Sequence, residues 1–130
     1  MAHYLDTSAL VKLVVVEPAS DALYEWLSAD DRQPVASDLV RTELLRAVRR
    51  ASPDQMVRAR DVLDAITLIR ADTGTFERAA LLDPAQLRSL DAVHLAAALE
   101  LGDDLEAIVT YDDSLAEAAT LNGARVVAPR

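Results

Sequence analysis

The chain has 130 residues, of which 52% are hydrophobic and only 4% aromatic. This composition excludes a disordered chain, and the length suits one domain with a single core. There is no cysteine, which excludes disulfides, zinc thiolates and cysteine nucleophiles, and a net charge of −9 disfavours broad affinity for nucleic acid. No signal peptide and no apolar run of membrane-spanning length are visible, so we expect a cytoplasmic protein without membrane contact.

Short apolar strands alternate with helical segments along the chain. Taken in order, the sequence predicts strands at 3–5, 35–37, 66–69, 107–110 and 125–128. Helices are predicted at about 8–16, 20–29, 39–51, 54–65, 75–82, 86–101 and 113–121. This alternation predicts an α/β fold over residues 1–130, with a parallel sheet of four or five strands and helices on both faces.

Two acidic residues, Asp6 and Asp112, follow predicted strands and precede predicted helices. In open α/β sheets, ligands bind in the crevice at the carboxyl ends of the strands, so both acids are candidates for a functional site. Both positions also suit helix caps. Asp113 can share the cap with Asp112, and Thr7 or Ser8 is the predicted cap of the first helix.

Two further acids, Asp91 and Glu43, lie on predicted helices. Asp91 is in the most apolar helix, where an ionised carboxylate is costly unless it is paired, hydrogen-bonded or bound to metal. A pair with Arg88 is an equally good explanation. For Glu43 taken alone, an ion pair with Arg46 or Arg41 on a wet surface is the better explanation.

A group of four acids without partnering lysines or histidines would repel one another. Hard divalent cations such as Mg²⁺ or Mn²⁺ relieve that repulsion because they prefer oxygen ligands. Such clusters most often serve phosphodiester hydrolysis, in which the metal generates a hydroxide, orients the phosphate and stabilises the leaving oxygen. We expect the four candidates to converge on one pocket at the carboxyl edge of the sheet: Asp6, Glu43, Asp91 and Asp112.

Four segments, at residues 4–12, 37–47, 88–98 and 109–112, resemble the PIN-domain nucleases and, within them, the VapC toxins of prokaryotic toxin–antitoxin pairs. The run Arg-Ser-x-Asp-Ala-x-His-Leu-Ala from residue 88 carries most weight, and the resemblance spans essentially the whole chain. It implies a three-layer PIN fold and a Mg²⁺- or Mn²⁺-dependent endoribonuclease. It also implies inhibition by a VapB-type antitoxin, in a homodimer or a larger toxin–antitoxin assembly.

The resemblance also assigns roles within the site. It implies that Asp6, Glu43, Asp91 and Asp112 are the catalytic and metal-binding acids. Ser8 and Thr110 are then hydroxyls near the metal. Asp113 remains open as a residue that shares or replaces the role of Asp112.

Six arginines lie between Arg41 and Arg60 although the chain is acidic. A solvated helix face is the simpler explanation, and a local basic ridge is the alternative. On the second interpretation we expect Arg46, Arg49 or Arg50 to contact RNA phosphates.

Other classes of function are less consistent with the pattern. A response-regulator receiver needs an acidic pair near the first strand and a lysine after the last, whereas Asp6 stands alone and Lys12 is the only lysine. A haloacid-dehalogenase-type phosphatase needs a second aspartate where the chain has Ser8. Two alternatives remain: a non-toxin PIN nuclease in RNA processing, and a non-catalytic binding module whose acids are scattered in space.

Overall fold

The computed structural model describes all 130 residues, and a five-stranded parallel sheet runs through its centre. The strands are β1 (Ala2–Leu5), β2 (Gln33–Ser37), β3 (Thr67–Ile69), β4 (Leu105–Val109) and β5 (Val126–Val127). Their order is β3-β2-β1-β4-β5. Strands β2 and β3 therefore lie on one side of β1, and the chain then crosses to the other side of β1 to form β4 and β5. The predicted parallel α/β sheet is confirmed.

Seven α-helices connect and cover the strands. They are α1 (Thr7–Lys12), α2 (Ser20–Ala29), α3 (Val40–Ala51), α4 (Met56–Ala65), α5 (Thr73–Ala80), α6 (Ser89–Leu99) and α7 (Asp113–Leu121). Two short 3-10 helices lie at Pro53–Gln55 and Gly102–Asp104. None of these helices combines the length and the hydrophobicity that crossing a bilayer requires.

The two faces of the sheet carry separate hydrophobic cores, because successive side chains of a strand point to opposite faces. In β1, Leu5 belongs to the core formed with α1, α3 and α4, whereas Tyr4 belongs to the core formed with α6 and α7. In α3, Val40, Leu44 and Val48 recur every four residues and are fully buried. This spacing gives the helix one apolar stripe toward the sheet. Helices cover both faces, as predicted.

Two helices are shorter than their apolar patterns suggest. The first ends at Lys12 rather than residue 16, because the N–H groups of Leu13 and Val14 bond three residues back and the chain continues as turns. The most apolar helix begins at Ser89 rather than residue 86, because the backbone of Arg88 is extended. As a result Asp91 lies in the first turn of α6, at the open end of a helix that is otherwise buried.

The prediction that Thr7 or Ser8 caps the first helix is wrong. Asp6 caps α1: its backbone is extended, and its carboxylate accepts the backbone N–H three residues ahead. Asp112 caps α7 through the same contact. Each acid that follows a strand is therefore also a helix cap, so the two explanations of these residues do not exclude each other.

Candidate active site

The register between β1 and β4 brings two distant parts of the chain together at the carboxyl edge of the sheet. Leu5 pairs with Val109, so the residues that follow them, Asp6 and Thr110, leave the sheet side by side. Thr110 donates its hydroxyl to Oδ2 of Asp6 at 2.6 Å. Because the chain changes direction across the sheet between β1 and β4, this is the position where open α/β folds form their binding crevice.

Asp6 is a buried carboxylate, only 4% exposed, surrounded by hydrogen-bond donors. The Ser8 hydroxyl donates to Oδ1 at 2.6 Å, and the backbone N–H of Ala9 donates to the same oxygen at 3.1 Å. Burial raises the pKa of Asp6 more than these donors and the Thr110 hydroxyl lower it. Both hydroxyls predicted to lie near the metal, Ser8 and Thr110, therefore bind Asp6 directly.

Asp91 lies within electrostatic range of two other candidate acids. Burial raises the pKa of Asp91, and the negative charges of Asp112 and then of Asp6 raise it further. The charge of Arg88 has a smaller, opposing effect on this pKa, and Arg88 forms no ion pair with Asp91. Asp91 thus lies within range of the charges of both Asp112 and Asp6, which favours a shared site over the scattered acids expected of a non-catalytic binding module.

The negative charge that raises the pKa of Asp91 is that of Asp112 and not that of its neighbour Asp113. Asp112 is half-buried and accepts the backbone N–H of Leu115 at 3.0 Å, whereas Asp113 is exposed in the first turn of α7. The backbone N–H of Asp112 also donates to the Thr110 hydroxyl oxygen at 3.1 Å. This places Asp112 next to the group that holds Asp6.

Glu43 is held by two side chains whose contacts sequence reasoning missed. Its Oε1 lies 2.6 Å from Nε2 of His94 and accepts the Thr7 hydroxyl at 2.8 Å. Burial raises the pKa of Glu43, whereas the hydrogen bonds from His94 and from the Thr7 hydroxyl lower it, and the net result is a pKa below the usual value. The predicted ion pair with Arg46 or Arg41 is absent.

One signal in the sequence placed His94 near a candidate acid, although that acid was Asp91. His94 follows Asp91 by three residues and therefore shares its helical face. Nothing in the local pattern connected it to α3.

The candidate carboxylates have the chemistry that a hard cation requires, but they are not close enough together to form a complete coordination site. No three acidic or histidine side chains come close enough together to hold a metal ion in this arrangement. The available ligands are all carboxylate oxygens, which suit Mg²⁺ or Mn²⁺. The repulsion that raises the pKa of Asp91 is also what a divalent cation relieves.

A groove of about 290 Å³ lies beside Glu43. Its lining comprises Thr7, Thr42, Glu43, Arg46, Ala47, Arg50 and Leu90. Both arginines are exposed and form no ion pair, while Arg49 lies on the same helix outside the groove. Of the three arginines predicted to contact RNA, Arg46 and Arg50 therefore line the groove that contains Glu43. A larger, mostly apolar cavity of about 580 Å³ between α5 and α6 contains none of the predicted site residues.

Known proteins share both the sequence and the shape of this chain. A family model described as "PIN domain" matches residues 3–121. The chain belongs to the PIN-domain family. Within that family, Ribonuclease VapC46 of Mycobacterium tuberculosis is 44% identical over 129 residues, which cover 98% of both chains. The predicted resemblance to the VapC branch of PIN domains is confirmed.

Solved structures agree with this PIN fold. VapC20 of Mycobacterium tuberculosis, described as a sarcin-ricin loop cleaving toxin, superposes with a TM-score of 0.76 at 14% identity over 98% of this chain and 99% of its own. A toxin–antitoxin complex from Klebsiella pneumoniae superposes with a TM-score of 0.74 at 24% identity over 98% of both chains. At these identities the likeness establishes the fold alone.

Proposed function

We propose that this PIN domain is a Mg²⁺- or Mn²⁺-dependent endoribonuclease toxin that a VapB-type antitoxin neutralises. The observation that carries the proposal is the buried Asp6 carboxylate, held by three donors at the sheet edge with Asp91 and Asp112 nearby. The name of a relative with 44% identity over nearly the whole chain, Ribonuclease VapC46, supports an RNA substrate.

The proposed metal ligands are Asp6, Asp91 and Asp112, with Glu43 joining them from α3. A divalent cation bound there supplies Lewis-acid stabilisation of the phosphodiester and acidifies an attacking water. Ser8 and Thr110 fix the Asp6 carboxylate so that it presents the same oxygens each time. Because its pKa is lowered, Glu43 is ionised at neutral pH and available to bind a cation without first losing a proton.

A direct test compares RNA cleavage and Mn²⁺ binding in the wild type and Asp6→Asn. Labelled transfer and ribosomal RNA serve as substrates, and Mn²⁺ affinity is measured by calorimetry. We expect cleavage to require the metal, and both cleavage and binding to be lost in Asp6→Asn. Asp64→Asn, an exposed acid on α4, is the matched control and should behave like the wild type. Unchanged Mn²⁺ binding in Asp6→Asn would remove the basis of the proposal.

RNA must approach a protein of net charge −9, so attraction has to come from local arginines. We propose Arg46 and Arg50 as phosphate contacts because they line the groove beside Glu43. Arg46→Gln should weaken RNA binding and reduce the salt slope by about one for the lost phosphate contact. Arg49→Gln, on the same helix but outside the groove, is the control. If the salt dependence of RNA binding has the same slope in both variants, Arg46 is a solvated surface charge and not a phosphate contact.

The same acids offer a mode of inhibition. A guanidinium pairs bidentately with carboxylates, so an antitoxin arginine inserted at this edge would compete with the cation. Raising Mn²⁺ should then weaken inhibition by the antitoxin. Inhibition that is insensitive to the metal would instead act through RNA access or through the predicted homodimer. The cytoplasmic location of the toxin and the size of its assembly stay predictions.

A further inference from the structure

A chain of hydrogen bonds leads from β2 through β1 and α6 to Glu43. The backbone N–H of Ser37 donates to the Tyr4 hydroxyl at 3.1 Å. That hydroxyl lies 2.7 Å from Nδ1 of His94, whose Nε2 lies 2.6 Å from Oε1 of Glu43. Tyr4 is fully buried and His94 is 2% exposed, so water does not compete for these contacts.

The surroundings of the Tyr4 hydroxyl decide where the protons lie. The Tyr4 side chain is fully buried, and its hydroxyl has one proton to donate. The oxygen already accepts the N–H of Ser37, and Nδ1 of His94 is the acceptor for its proton. With Nδ1 as the acceptor, the ring proton lies on Nε2, which donates to Glu43. The reverse arrangement would leave a buried hydroxyl proton without a partner.

We propose that Tyr4 and His94 are positioning residues, which hold the Glu43 carboxylate in one orientation for the cation. The hydrogen bonds of Glu43 from His94 and Thr7 both fall on Oε1, which leaves Oε2 without a protein donor. Oε2 is therefore the oxygen that is free to bind a cation or a water. This inference rests on the proposed role of Glu43.

The position of the two residues explains why they suit this task. Tyr4 precedes Asp6 by two residues in β1, and His94 follows Asp91 by three residues in α6. Strand β1 leads into Asp6, and helix α6 carries Asp91. The same two elements also supply the side chains that orient a third proposed ligand, Glu43.

Nitrogen NMR of the histidine side chains tests the proton arrangement without metal or RNA. We expect His94 to show a single tautomer with the proton on Nε2, its signals being assigned by their loss in His94→Gln. Tyr4→Phe removes the donor to Nδ1 and should shift His94 toward a mixture of tautomers. A proton on Nδ1 of His94 in the wild type would overturn the proposal.

A double-mutant cycle tests positioning through Mn²⁺ affinity. We expect His94→Leu to weaken Mn²⁺ binding about tenfold or more, as removal of residues that orient metal ligands typically does. His94→Gln should recover most of this loss because its amide can still donate to Glu43. In a Glu43→Gln background, His94→Leu should cause no further loss. Equal losses in both backgrounds would mean that His94 does not act through Glu43.

Two comparisons separate this inference from the proposed function and from simple damage to the fold. If Glu43→Gln leaves Mn²⁺ affinity unchanged, the ligand role of Glu43 fails, and positioning fails with it. If Glu43→Gln weakens binding and His94→Leu does not, positioning alone fails. Thermal unfolding in chelator monitors the fold, and Tyr4→Phe repeats the cycle with a milder change. His3→Gln is the control, because His3 is also a buried histidine but packs against Trp26, away from Glu43.

Discussion

Replacing Thr110 by valine tests whether Asp6 is held as a buried charge. Thr110 is 1% exposed, and its hydroxyl donates to Oδ2 of Asp6 at 2.6 Å while accepting the backbone N–H of Asp112 at 3.1 Å. Valine keeps the β-branched shape of threonine. The substitution therefore removes these two hydrogen bonds and a longer contact of 3.4 Å with the Ser8 hydroxyl, and it changes little else in the packing.

The expected cost follows from the nature of the two partners. A hydrogen bond to a charged group contributes about 1.5–3 kcal/mol, and the bond from the half-buried Asp112 amide contributes about 1 kcal/mol. We expect Thr110→Val to lower the free energy of unfolding by about 2–4 kcal/mol at neutral pH. Because the Thr110 hydroxyl lowers the pKa of Asp6, this pKa should also rise further in the variant.

The cost should depend on pH. The pKa of Asp6 is raised in the folded protein, chiefly by burial, so its ionised form disfavours folding above the pKa of the unfolded chain. This penalty is relieved as pH falls through the folded pKa. Once Asp6 is protonated, the valine variant lacks only hydrogen bonds between neutral groups, about 1 kcal/mol each. The difference in stability between wild type and variant should therefore shrink from neutral to acidic pH.

Urea unfolding in the presence of chelator measures this difference across the pH range. Thr67→Val, an exposed residue in β3 without a side-chain hydrogen bond, is the matched control and should cost little. The cost of Thr110→Val should also fall in an Asp6→Asn background, where no charge is buried. A cost that is the same at every pH and in both backgrounds would refute the reasoning.

Three further predictions concern the other acids and the cation. Asp91→Asn should stabilise the metal-free protein to urea at neutral pH, because burial and the charges of Asp112 and Asp6 raise the pKa of Asp91 and its ionisation opposes folding; a loss of stability would contradict this. Glu43→Gln should cost about 1–2 kcal/mol at neutral pH and less in acid. Because the pKa of Glu43 is lowered in the folded protein, its ionised form stabilises the fold above the pKa of the unfolded chain, and this stabilisation is lost as pH falls through the folded-state pKa. An equal cost of Glu43→Gln at neutral and acidic pH would contradict this prediction. Mn²⁺ should raise the Tm of the wild type by mass action but not that of Asp6→Asn, and equal shifts would place the cation elsewhere.

Local patterns were enough to predict the sheet and the position of two acids in it. A strand, an acid and a helix follow one another at Asp6 and again at Asp112, and each step of that order depends only on neighbouring residues. The ends of the helices were less predictable. The apolar run beyond Lys12 continues the periodicity of a helix, but the chain forms turns there, and Asp6 took the capping role assigned to Thr7 or Ser8.

The sequence by itself determined which elements form and which acids follow strands, because propensity, capping and periodicity act within one or two turns of the chain. The partners of those acids were decided only by tertiary structure. Thr110 reaches Asp6 across 104 residues because β4 pairs with β1 in one register. Arg46 is three residues from Glu43 on the same helix, yet the carboxylate binds His94, 51 residues away. The buried imidazole prevails because a hydrogen bond in a low-dielectric interior is stronger than an ion pair in water.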